Sequence, residues 1–444
     1  MKKFLSVLLA CSIVLAAGCN GGSGSESSQA ASDSVSDSGA DSSAETISDS
    51  EPAVSDENAP SEEISSSDET SDIDYSSLSD EEIYNLMVRR SLMTTGDMTR
   101  MADVLKKARD GGEINVAYLG GSITYGMTVA PNEPEKCWAY RSTEWLREQF
   151  PDATINYVNA GMSGTPSILG NTRLERDVLA YDPDIVFVEF AVNDGNSIEY
   201  QTAYDSLVRT LLTQEKDIAV VLLFTVIESG HTCQEYMSRV GEQYGLPMIS
   251  EPNSLGVEFA EGRMAWSDYS DDQSHPNEAG HKIVTDFVAN YYENVIPYID
   301  ENIGEVSKEL PEPVYSSRYM NMHYVDNEQI TAELDKMEAT SVHSDFQHGW
   351  SYKGEEEASM TFTITCRALN MIYKANDSKM FADADIYIDG VKTCTVSSNQ
   401  SDGWNNPVTQ MIIDNDESAE HTVKILVPGG AKHYFEVLGF GYTD

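Results

Sequence analysis

In the stretch AYLGGSITYG, residues 117–126, Ser122 follows two glycines at the end of a short apolar run. Such a turn has two chemical uses: to wrap backbone N–H groups around a phosphate, or to present the serine hydroxyl as a nucleophile. The phosphate use fails on spacing. A dinucleotide fingerprint needs a third glycine three residues after the second, and a P-loop needs Gly-Lys-Ser/Thr; neither is present. The nucleophile use requires a base, a group that orients the base, and donors for a developing oxyanion. DDQSHPNEAGH supplies Asp272 and His275 three residues apart. At that spacing a carboxylate reaches imidazole Nδ1, which leaves Nε2 free to take the serine proton. Gly164 in NAGMSGT offers a backbone N–H with no side chain in the way, and Asn193 in FAVND offers a side-chain amide. The Ser122 N–H itself completes a set of three donors.

These residues must be brought together by the elements that carry them. SDEEIYNLMVRR opens a helix with a capping box, Ser79 and Glu82. Beyond it, the apolar runs INVAYL, TINYVNAG, DIVFVEFAVND, DIAVVLLFTV and PMIS alternate with amphipathic segments such as WAYRSTEWLREQF, NTRLERDVLAY and AYDSLVRTLLTQE. Another helical segment lies near 231–244, and NEAGHKIVTDFVANYYENVI closes the series. Runs of that kind, alternating with helices, predict a parallel sheet covered on both faces. Ligands in such sheets bind beyond the carboxyl ends of the strands, where GGSIT, NAGMSG and AVND all fall. After about residue 305 the period becomes two: SMTFTITCRAL, ADIYIDGVKTCTV with a turn at Asp389-Gly390, HTVKILVPGG and YFEVLGFGY predict an antiparallel sandwich.

Four blocks in this order resemble the SGNH, or GDSL-type, hydrolases, named for a Ser, a Gly, an Asn and a His. The resemblance covers about residues 112–298 and places the four on Ser122, Gly164, Asn193 and His275, with Asp272 completing the triad. It implies a flavodoxin-like three-layer α/β/α domain over 79–304, followed by the all-β sandwich over 305–444, and an esterase that needs no metal or cofactor. Two positions depart from the family pattern. Gly121 stands where an Asp usually precedes the nucleophile, and Ala191 stands where the Gly of Gly-x-Asn-Asp is usual.

Other residues are read more plainly. His281 is expected to be structural within the last helix, and Arg173 and Arg176 to be helix-surface residues or salt-bridge partners. Trp138 and Trp266 are either pocket walls or half-buried packing. Cys137, Cys233, Cys366 and Cys394 show no metal-type spacing. Cys366 and Cys394 lie close enough in sequence to leave a bridge open.

Residues 1–18 read as a secretory signal: two lysines, an apolar stretch and small residues. Cys19 follows Ala16-Ala17-Gly18 and resembles a lipobox cysteine, with Ala16 where Leu is commoner. Lipidation there would anchor the chain to the outer face of a bacterial membrane, whereas a plain signal would release it. Residues 19–78 then form a Ser-rich acidic stretch. Residues 20–80 hold 16 of the 74 acidic residues and no Lys or Arg, the composition of a disordered tether. The rest stays acidic, with 58 acids against 26 bases from residue 81 onward. That balance excludes nucleic acid as a natural partner and suits a neutral polymer. The resemblance to surface carbohydrate esterases implies an acetylated glycan as substrate. Trp350, Tyr352, Tyr373 and Trp404 are available to stack on sugar rings or to pack the sandwich. The alternatives are a lipid or short-chain acyl esterase, or an inactive polysaccharide-binding lipoprotein.

Overall fold

The computed structural model describes residues 73–301 and 303–444. The expected signal, the lipidated Cys19 and nearly all of the tether lie outside the described residues.

Six strands form the first sheet: β1 (Leu92–Thr94), β2 (Glu113–Gly120), β3 (Thr154–Gly161), β4 (Ile185–Glu189), β5 (Ala219–Phe224) and β6 (Met248–Ser250). Their spatial order is β1-β6-β5-β4-β2-β3. Strands β2 to β6 are parallel and run in the doubly wound order expected of a flavodoxin-like sheet. Only β1, which the sequence pattern had not resolved from the helix before it, pairs antiparallel, with β6.

Alternation within the strands explains why both faces are covered. Val116 and Tyr118 of β2, Phe187 of β4 and Val221 of β5 point to one core, with Leu105, Trp138, Leu146, Phe287 and Tyr291 from three helices. Ala117, Leu119, Val186, Val188 and Leu222 point to the other, against Tyr204, Leu207, Leu211 and Met237. The capping box at Ser79 is present: its hydroxyl accepts the Glu82 N–H, and Glu82 accepts the Ser79 N–H. NTRLERDVLAY does not form one helix. The chain is helical over Ser167–Thr172, turns again at Leu174–Asp177 and closes with a 3-10 turn at Leu179–Tyr181.

The second domain is entirely antiparallel, and its strands join in one hydrogen-bonded network. Two of them are much longer than the sequence pattern indicated, Ala358–Asn376 and Trp404–Val427. They pair along their length, with register shifts at Cys366/Ala368 and Leu369/Asn370. Such bulges bend a strand, and Ala358–Asn376 pairs successively with Glu333–Asp335 and with Tyr434–Thr443 on its other side. The turn at Asp389-Gly390 is a two-residue hairpin, with φ of 54° and 80° as that geometry requires. Met360, Phe362 and Cys366 are buried as the alternation predicts, and so are Trp350, Tyr352 and Tyr373. These three aromatic residues are core, not sugar platforms. All four described cysteines are free thiols, so Cys366 and Cys394 do not bridge.

The helix Ser167–Thr172 is seated between the two domains. Leu169 packs with Phe346, Ile372 and Leu438, and Ile168 with Tyr319, Met322 and Ala368. Asn370 donates to the Thr172 hydroxyl at 3.1 Å, and Asn171 donates to the Tyr319 carbonyl at 2.7 Å.

Candidate active site

Strand β2 ends at Gly120, and the chain turns sharply into the short helix Ser122–Tyr125. Ser122 is its first residue and is mostly buried. Its Oγ lies 2.9 Å from Nε2 of His275, whose Nδ1 lies 2.8 Å from Asp272 Oδ2. Asp272 also accepts the backbone N–H groups of Ser274 and His275, both at 2.7 Å. Partial burial pushes the Asp272 carboxyl up, but the hydrogen bonds from the His275 N–H, its imidazole and the Ser274 N–H outweigh this. The net effect holds it below the usual carboxylate range. The Ser270 hydroxyl reaches the carbonyls of Asp272 and His275, and the indole N–H of Trp266 donates to the Asp272 carbonyl at 2.6 Å. Trp266 thus braces this loop, whereas Trp138 is fully buried in the core. Asn277 caps the following helix through the Gly280 N–H. A hydrogen bond from the Thr128 hydroxyl to the Pro276 carbonyl ties the loop back to the nucleophile segment.

The other two residues converge on the same turn. The Asn193 amide lies over Gly121, so close that a β-carbon at 121 would sit 2.0 Å from Asn193 Oδ1. In this structure no side chain fits at position 121 while Asn193 holds its place. Gly164 lies on the loop after β3, brought beside the nucleophile turn by the Met162 N–H donating to the Gly120 carbonyl at 3.0 Å. Its φ is +70°, and a β-carbon would come within 3.2 Å of the Trp404 indole. Trp404 belongs to the second domain, is 44 % exposed, and is the one member of the aromatic set that reaches this edge.

Three buried carboxylates hold these loops, and sequence reasoning assigned none of them a role in the site. Glu189, at the end of β4, accepts the hydroxyls of Thr124 (2.9 Å) and Thr225 (2.7 Å). It fastens the nucleophile turn. Asp194 accepts the Ser167 N–H (2.7 Å), the Ser167 hydroxyl (2.5 Å) and the Tyr236 hydroxyl (2.7 Å). It joins the Asn193 loop to the helix that follows Gly164. Glu251 accepts the Val226 N–H (3.0 Å) and the Tyr269 hydroxyl (2.9 Å), just ahead of the Asp272 loop. Burial raises all three, Asp194 to about 7 and Glu251 to about 8. The sequence signal was an acid inside an apolar strand, the Glu of DIVFVEF.

Arg173 is a salt-bridge partner of Asp177 (3.1 Å), as one of its two readings had it, but it is not on a helix surface. It is fully buried and donates to the carbonyls of Gly120 (3.1 Å) and Ala160 (2.7 Å), clamping the ends of β2 and β3. Arg176 pairs with Asp177, as a salt-bridge partner should. His281 is buried, with burial pushing it down to about 3, so it stays neutral; its Nδ1 accepts the Trp138 N–H. Among the described residues, no group of three or more His, Cys, Asp or Glu side chains is placed to hold a metal ion.

A nucleophile turn at the end of β2, the first parallel strand of a doubly wound sheet, with a His-Asp pair on the loop before the last helix, is the arrangement of an SGNH-type fold. Consistent with it, residues 118–283 match the model of the GDSL-like Lipase/Acylhydrolase family, and the protein is a carboxylic ester hydrolase. An acetylxylan esterase of Geobacillus stearothermophilus is 29% identical over 206 residues, which is 39% of this chain and 91% of that protein. The match to a two-domain esterase (CEX) active on acetylated mannans takes in both domains. Its crystal structure with mannopentaose superposes with a TM-score of 0.74 at 26% identity, covering 80% of this chain and 98% of that one. A second structure of that esterase gives the same score, with 99% of its chain covered.

Proposed function

We propose that the protein removes acetyl groups from a polysaccharide or oligosaccharide through a Ser122-His275-Asp272 triad. The observation that carries this reading is the unbroken hydrogen-bonded series from Asp272 through His275 to Ser122 Oγ. His275 takes the hydroxyl proton as Ser122 attacks the acetyl carbonyl, and the N–H groups of Ser122 and Gly164 and the Asn193 amide receive the oxyanion. His275 then gives its proton to the departing sugar oxygen, leaving acetyl on Ser122. Water, deprotonated by the same imidazole, attacks the acyl-enzyme and releases acetate. Asp272, held as a carboxylate, fixes the tautomer and stabilises the imidazolium.

Support for a glycan comes from the likeness to the acetylmannan and acetylxylan esterases and from the position of Trp404. An exposed indole beside the oxyanion loop offers a flat apolar face to a sugar ring, and the acidic surface suits an uncharged polymer. The N-terminal segment is proposed to place the enzyme on the outer face of the cell membrane, with Cys19 lipidated.

The test is acetate release from acetylated mannan and acetylated xylan by residues 75–444, beside Ser122→Ala and His275→Ala. Release abolished by both variants supports the reading. Turnover confined to long-chain acyl esters would move it to lipids. A folded protein that binds polysaccharide but hydrolyses no ester would replace it with a binding role. For the anchor, fatty-acid labelling lost in Cys19→Ala is the expected result.

A further inference from the structure

We infer that the protein carries a second glycan-binding site, on the far side of β3 from the nucleophile turn; this rests on the reading that its substrate is a glycan. A cavity of about 770 Å³ lies there between the two domains, and no triad residue lines it. That volume is within the roughly 300–1,000 Å³ of small-ligand sites and suits a short oligosaccharide.

The lining chemistry selects the ligand. Carboxylates predominate, including Glu175, Asp326 and Glu328. Of the two arginines, Arg176 is engaged with Asp177 and the Asp345 carbonyl. Arg173 is wholly buried, its guanidinium taken up by the carbonyls of Ala160 and Gly120 and by Asp177. An anion would meet the carboxylates, and an acyl chain would leave these polar groups unpaired, at a cost of about 1–3 kcal/mol each. A sugar hydroxyl both donates and accepts, so it satisfies a carboxylate and the side-chain amide of Gln347 alike. Tyr181 stands at the lip and is 54 % exposed, the amphipathic side chain a pyranose face would cover. His348, half exposed and 3.8 Å from Glu328, is a further polar contact on the opposite domain.

The position suggests its use. Strand β3 forms the back wall and runs directly into the loop bearing Gly164. A polymer gripped here is held close to the catalytic edge, which favours repeated deacetylation of one chain.

The experiment measures binding of unacetylated mannopentaose and xylopentaose to residues 75–444 carrying Ser122→Ala. The comparison adds Tyr181→Ala, Tyr181→Ala with His348→Ala, or Trp404→Ala. Affinity falling roughly tenfold or more with the first two, and surviving Trp404→Ala, is the expected result. In the enzyme with Ser122 intact, the Tyr181 variant should raise KM for acetylated polymer and leave p-nitrophenyl acetate turnover unchanged. No binding of either sugar, or binding lost only with Trp404→Ala, would overturn the second site. Failure of the glycan-esterase reading would show separately, as hydrolysis of p-nitrophenyl acetate but of no acetylated polymer.

Discussion

Restoring a side chain at Gly121 is the most direct test of how the oxyanion donors are set. The φ of Gly121 is −89°, outside the left-handed region that favours glycine, and the main penalty for a side chain is one of space. An added β-carbon would stand 2.0 Å from Asn193 Oδ1, against an ordinary contact of about 3.4 Å. Relieving it displaces the amide by about 1.4 Å, enough to take a donor out of the 2.7–3.1 Å range in which it serves an oxyanion. Gly121→Ala should therefore behave like the loss of one donor, a fall in kcat of about 10²–10³, or roughly 2.7–4 kcal/mol. Gly121→Asp, the residue usual in the family, should be no better. The assay is p-nitrophenyl acetate hydrolysis under saturation, with thermal denaturation alongside to confirm folding. Asn193→Ala sets the scale, and Gly121→Ala should add little to it, because the collision partner is gone. A folded Gly121→Ala enzyme with kcat within about threefold of the parent would refute the reasoning.

Glu189→Gln should keep most activity, since the amide retains an acceptor oxygen for a threonine hydroxyl; Glu189→Leu leaves the hydroxyls of both Thr124 and Thr225 without this acceptor. The latter should lower kcat more than it raises KM and cost about 1–3 kcal/mol of stability, read by denaturant titration. Asp194 and Glu251 have folded values of about 7 and 8, above those of unfolded carboxylates, so the folded state holds more protons between about pH 4 and 8. Their contribution is complete at the acid end and is lost as pH rises through 7 and 8. The melting temperature should fall over that window, and Asp194→Asn should flatten the fall; a slope unchanged by Asp194→Asn would contradict this. Trp404→Ala should raise KM for acetylated polysaccharide with little change in kcat on p-nitrophenyl acetate, a split that kinetics on both substrates resolves.

The sheet was legible because its strands are buried on both faces, which turns them into continuous apolar runs bounded by helices. The candidate triad was legible because Ser122 follows a strand end and Asp272 and His275 stand three residues apart on the loop before the last helix. What was not legible depended on contacts between distant segments. Arg173 reads as a solvated helix residue until β2 and β3 are seen to offer it the carbonyls of Gly120 and Ala160. The 24-residue strand Trp404–Val427 includes the polar run DNDESAEH, which local alternation cannot mark as strand. Four aromatic side chains looked equivalent as sugar platforms; only tertiary structure separates the three in the core from Trp404 at the edge.

The placement of the buried acids follows from what the loops lack. The segments that leave the strand ends, and the loops packed against them, carry polar groups that no ladder satisfies, and an unpaired buried donor is costly. A carboxylate accepts several such donors at once, and here one acid serves each loop. Glu189 takes the nucleophile turn, Asp194 the segment after Gly164, and Glu251 the helix before Asp272. Asp194 has a further consequence. It binds Ser167, the first residue of the helix that Phe346, Ile372 and Leu438 press from the second domain. Trp404 of the same domain meets Gly164 from the other side. The loop bearing Gly164 is therefore fixed jointly by a carboxylate of the α/β domain and by the packing of the β domain. The second domain is built into the geometry of the site, and a substrate contact made by Trp404 is made within reach of the oxyanion donors.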